Sequence, residues 1–122
     1  RIPWLQVARV MCPMQPRDAS HEIWARDFTG GCGLFSFALA SDNPAASGRV
    51  VDALHHFGIG YSWGGFESLA LPIFPHAHRD AMDVPTKGTA GTQPAIRLSI
   101  GLEAPQDLIA DPAQRLDQLE TT

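Results

Sequence analysis

Apolar positions recur along this chain with two periods, and the switches between them mark the elements. Val7-Ala8-Arg9-Val10-Met11 alternates loosely and reads as a strand closed by Pro13. Ser20 to Asp27 predicts a short helix with Ser20 as its N-cap, broken by Thr29-Gly30-Gly31-Cys32-Gly33. Leu34 to Leu39 is a mostly apolar run, the mark of a central strand. Helical spacing then takes over. Asn43-Pro44 opens a helix predicted to reach about Phe57, with Val50, Val51, Leu54 and Phe57 as its apolar stripe and Gly58 as its stop. Extended segments are expected over residues 59–63 and 68–71, on either side of Gly64-Gly65, and a loop over residues 72–94. Ala95 to Leu102 alternates as a strand, with Ile96, Leu98 and Ile100 on one face and Arg97 and Ser99 on the other. Pro105 to about Glu120 reads as a final helix with Leu108, Ile109, Leu116 and Leu119 on one face. Pro112 predicts a break there, with Asp111 capping the piece that follows.

Three or four strands interleaved with helices that cover one face make an α+β layer. The composition agrees with a packed domain: 122 residues, 44% of them hydrophobic, are enough for one core. A net charge of −4 argues against nucleic acid or an anionic membrane as the main partner. Every apolar run is interrupted too early to span a bilayer. Cys12 and Cys32 lack CxxC spacing and read as reduced, partly buried thiols of a cytoplasmic protein. The chain starts at Arg1, without Met, and goes straight into Ile2-Pro3-Trp4-Leu5, which creates the expectation that an upstream part is missing.

Two stretches carry a resemblance. One is Tyr61-Ser62-Trp63-Gly64-Gly65-Phe66-Glu67-Ser68-Leu69. The other is Ile96-Arg97-Leu98-Ser99-Ile100-Gly101-Leu102-Glu103, followed by Asp107-Leu108-Ile109-Ala110-Asp111. In order and separation they resemble the C-terminal part of the Cys/Met-metabolism enzymes that use pyridoxal phosphate (PLP). His21 to Gly30 and Gly33 to Phe37 look like the β-lyase branch of that family. The resemblance implies the small C-terminal domain of a fold type I, aspartate-aminotransferase-like PLP enzyme. Its sheet would be mainly antiparallel, of three or four strands, with helices on one face. Residues 1–122 would all belong to this domain, and the PLP-binding domain would lie upstream, outside the chain. The implied reaction is carbon–sulfur cleavage, turning cystathionine into homocysteine, pyruvate and ammonia.

The resemblance also assigns roles. Arg97 matches the arginine that binds the substrate α-carboxylate, a task suited to a planar fork of donors. Without the resemblance, a surface ion pair is an equally good reading. Ser62 and Trp63 match positions beside that carboxylate and the catalytic lysine. Gly64-Gly65 would let the backbone come close, although alone it signals only a bend. Tyr61 stands where γ-type relatives carry an acidic residue and β-lyases an aromatic one. Glu67 and Ser68 fit turn hydrogen bonding. No catalytic, cofactor or metal residue is expected here: the Schiff-base lysine would lie upstream, and Lys87, the one lysine present, does not match its motif.

His55-His56, expected on the helix, and His76-Ala77-His78, with Asp80 or Asp83 nearby, read as solvent-facing rather than as a zinc site. PLP is the cofactor expected of the full-length enzyme, with none bound to this piece. The expected partners are an amino-acid thioether such as cystathionine, the upstream PLP domain, and further copies in a homo-oligomer, a tetramer when full-length. The rival readings are γ-lyase or γ-synthase chemistry on the same framework, or a free-standing binding or dimerisation module.

Overall fold

The computed structural model describes residues 6–74 and 93–119. Eight elements follow in order: β1 (Val7–Met11), α1 (His21–Asp27), β2 (Leu34–Leu39), α2 (Ala46–Ala53), β3 (Gly58–Ile59), β4 (Leu69–Ile73), β5 (Ala95–Ser99) and α3 (Pro105–Gln118). The strands form one five-stranded sheet in the order β1-β2-β5-β4-β3. The sheet is mixed, which corrects the expectation of three or four mainly antiparallel strands: β3 runs parallel to β4, and the other pairs are antiparallel. The extended segment expected over residues 59–63 forms this strand only at its start, since β3 covers Gly58 and Ile59, both exposed.

The register explains the core. Phe35 lies opposite Leu98 and Leu98 opposite Ala70; Phe37 lies opposite Ile96. These side chains share one face and meet Val50 and Val51 of α2 and Leu108 and Leu116 of α3 in a single cluster. The helix α1 contributes no buried residue. Strand β4 continues through Pro72 into Ile73, past the start expected for the loop. Pro72 lies beyond the end of the short β3, where β4 has no outer neighbour, and a sheet tolerates proline at such a position. Strand β5 closes at Ser99, short of the Leu102 expected.

Both long helices differ from the sequence pattern. The predicted helix to Phe57 stops at Ala53, and Leu54 is extended, so His55 and His56 stand outside it. The stripe survives the early stop, since Phe57 is still buried and Leu54 packs against the core. The cause lies across the fold. The Asp111 carboxylate accepts the backbone N–H groups of both His55 and His56 at 2.8 Å, drawing that backbone out of helical bonding. Helix α3, in turn, is not broken at Pro112. Leu108, Pro112 and Leu116 fall at i, i+4 and i+8, and all three are buried. The ring is thus part of the apolar stripe, and packing against the sheet holds the helix through the missing hydrogen bond. Asp111 therefore does not cap a second helix, and Ile109, expected on the core face, is exposed.

Smaller corrections have local causes. Ser20 makes no side-chain cap bond. Asp18 takes over instead, accepting from the N–H groups of Cys12 and Ser20 at 2.8 Å. Cys12 is buried, whereas Cys32 is exposed, and both are free thiols. Among the described residues no helix is long and apolar enough to cross a membrane, and no cluster of His, Cys, Asp and Glu could hold a metal. His76, His78, Asp80, Asp83 and Lys87 lie outside the described residues.

Candidate substrate-carboxylate site

Strand β5 carries Arg97 on the face turned away from the helices, because its neighbours Ile96 and Leu98 are committed to the core. The guanidinium is partly buried. Its Nη2 donates to the carbonyl oxygens of Tyr61 at 2.6 Å and Ser62 at 3.4 Å. Its carbon lies 5.6 Å from the centre of the Trp63 ring, within cation–π range. The four residues singled out from the sequence, Arg97, Tyr61, Ser62 and Trp63, are thus brought together. The guanidinium rests on two neutral carbonyls rather than in a surface ion pair with a described residue.

No carboxylate pairs with Arg97 among the described residues. Nor is the Ser62 hydroxyl or the Trp63 N–H bonded to another described residue. Arg97 thus lies against the backbone stretch that carries this hydroxyl and this backbone N–H, neither of which has a partner among the described residues. Such a set is suited to a small anion with two oxygens.

The loop from Tyr61 to Phe66 is oriented by the strand below it. Gly64 takes φ +79°, a conformation that favours glycine, and its N–H points to the Ser99 Oγ at 3.3 Å. Further along, Leu102 donates to the Phe66 carbonyl at 2.8 Å. The Ser68 N–H and hydroxyl donate to the two oxygens of Glu103 at 2.8 and 2.6 Å. Those bonds hold the Glu103 carboxyl below its usual range; burial opposes them, and the charge of His56 adds to them. Gly101 is required because a Cβ there would collide with the backbone of Phe66, Glu67 and Ser68. In place of the turn hydrogen bonding expected of it, Ser68 makes long-range bonds to Glu103. Its partner is 35 residues away, a distance no local pattern reveals.

The sequence model of the Cys/Met metabolism PLP-dependent enzymes matches residues 4–117. The chain belongs to this family. It is 49% identical over 116 residues to a putative cystathionine beta-lyase of Rhizobium johnstonii, covering 88% of the chain and 28% of that protein. The Escherichia coli cystathionine beta-lyase is 46% identical over 110 residues, covering 87% of the chain and 27% of that enzyme. Among solved structures, cystathionine gamma synthase from Xanthomonas oryzae pv. oryzae in complex with cystathionine superposes with a TM-score of 0.73. It is 33% identical and covers 96% of the chain and 30% of that structure. The chain thus spans little more than a quarter of the length of the curated relatives it matches.

The family is PLP-dependent, yet the described residues do not suit the cofactor itself. They contain no lysine to bind it as an imine and no glycine-rich phosphate cradle.

Proposed function

We propose that this chain is the small C-terminal domain of a PLP-dependent carbon–sulfur lyase of the cystathionine β-lyase type. In this reading Arg97, Ser62 and Trp63 receive the substrate α-carboxylate, and Tyr61 lines the approach. The observation that carries it is Arg97, a partly buried cation with no acidic partner among the described residues and with free donors from Ser62 and Trp63 beside it. An incoming carboxylate offers the guanidinium two charged oxygens, where Tyr61 and Ser62 offer neutral carbonyls. Charge-assisted bonds are the stronger set, so the anion is favoured.

PLP, held outside this chain, supplies the electron sink that allows the bonds at Cα and Cβ to break. The residues here bind and orient. A carboxylate fixed by a bidentate fork limits rotation about Cα, which sets the direction of the bond to be broken. The Trp63 ring over Arg97 keeps water from one side of the ion pair and strengthens it. Tyr61, Trp63, Phe66 and Leu102 are exposed large apolar residues around the site. In the complete enzyme such a patch is covered by the PLP domain or by another subunit of a homotetramer. The cytoplasm is the compartment in which this chemistry and these free thiols belong.

Incubating the PLP-loaded enzyme that carries this chain with cystathionine tests the reading. β-Elimination yields homocysteine, pyruvate and ammonia. Cysteine and 2-oxobutyrate in their place would transfer the protein to the γ-type branch, and the absence of any 2-oxo acid would overturn the lyase assignment.

A further inference from the structure

We infer that Glu103 is a positioning residue for the Arg97 site: through Ser68, it sets where the Tyr61–Phe66 loop stands over the guanidinium. The inference rests on the carboxylate-binding reading of Arg97. Four anchors hold this loop, and all come from β5 and the turn that follows it; one is the Leu102 N–H on the Phe66 carbonyl at 2.8 Å. At the start, Arg97 grips the carbonyls of Tyr61 and Ser62. In the middle, Ser99 Oγ meets the Gly64 N–H at 3.3 Å. At the end, Glu103 receives both the N–H and the hydroxyl of Ser68.

The other three are not equal. The first is the contact with which a substrate carboxylate would compete, so it weakens when the site is used. The second is long for a hydrogen bond. The third is charge-assisted, with its two bonds at 2.8 and 2.6 Å. Ser68 is 1% exposed, so without Glu103 its N–H would have no water to turn to. The Ser68 hydroxyl also accepts the Gly101 N–H at 2.8 Å, and the Ser68 carbonyl accepts the Gly58 N–H at 2.9 Å. Glu103 therefore fixes one backbone point shared by the loop, by β3 and by the turn after β5. When Arg97 turns to a carboxylate, this clamp acts with the Leu102–Phe66 bond to keep Trp63 and the Ser62 hydroxyl in place.

A residue that merely stabilised the fold would lower the melting temperature and leave the site of the folded molecule unchanged. The test therefore compares wild type, Glu103→Ala and Glu103→Gln well below their melting temperatures. In 15N spectra of this chain, Glu103→Ala should move the Arg97 Nε–H resonance and speed amide exchange at Gly64. In the PLP-loaded enzyme it should raise KM for the amino-acid substrate by about tenfold, more than it lowers kcat. Glu103→Gln keeps one acceptor for the Ser68 N–H and should fall between the two. It also serves as the test if the alanine variant does not fold. Wild-type Arg97 and Gly64 signals together with a wild-type KM in a folded, less stable variant would overturn the positioning role. If Arg97→Ala raises KM while the Glu103 variants do not, only the positioning fails. If Arg97→Ala is also without effect, the carboxylate reading is what fails.

Discussion

Asp111 and Glu103 each accept two hydrogen bonds from a segment far away in the chain, but in opposite surroundings. Asp111 is 4% exposed, inside the helical layer, and its Oδ2 alone takes the N–H groups of His55 and His56. Glu103 is only partly buried and uses both oxygens, one on a backbone N–H and one on a hydroxyl. The first fixes how α2 ends against α3, through the backbone of two residues whose own side chains face outward. The second fixes a loop whose aromatic residues point into open space beside Arg97. The same device thus stabilises a core in one place and shapes a candidate site in the other. The difference lies in what the bonded segment carries.

The contrast can be broken by mutation. Asp111→Ala should have the largest effect on stability, about 2–4 kcal/mol in urea unfolding, because it removes a buried carboxylate that accepts two backbone N–H groups at once. Asp111→Asn retains an acceptor and should lose less. Gly101→Ala should cost about 1–3 kcal/mol, since its new methyl must push the Phe66–Ser68 backbone away from the turn after β5. Unlike the Asp111 variants, it should also disturb the loop beside Arg97, visible as shifted amide resonances at Gly64 and Trp63.

The effect of pH is smaller and is specific to Glu103. Its folded pKa is lowered, chiefly by the hydrogen bond from the Ser68 hydroxyl. The unfolded chain therefore binds a proton more readily than the folded one as acid is added. The stability contributed by the carboxylate is complete above its unfolded pKa and is lost as pH falls through the folded value. Glu103→Gln should flatten this part of the stability profile. An unchanged acid limb in the variant would show that other carboxylates are responsible.

Where the core lay was legible from periodicity. Val50, Val51, Ile96, Leu98, Leu108 and Leu116 were all assignable from spacings of two or of three and four, and all are buried. What the pattern could not show depends on distant partners. The end of α2 is drawn by Asp111, more than fifty residues on. The continuity of α3 through Pro112 depends on packing that overrides local preference. Of the candidate site, Arg97 and residues 61–63 were legible through the family motifs, and their meeting in space supports that grouping. The role of Glu103 was not, because a carboxylate in a turn looks the same whether it faces water or a buried serine.

The central claim is that Arg97 receives a substrate carboxylate, and steady-state kinetics of Arg97→Ala and Arg97→Lys in the PLP-loaded enzyme with cystathionine test it most directly. A charged hydrogen bond contributes about 1.5–3 kcal/mol, so the alanine variant should lose at least roughly tenfold in kcat/KM. The lysine variant should recover only part, since an ammonium cannot reproduce the fork. An alanine variant with kcat/KM within about twofold of wild type and an unchanged KM would contradict the account.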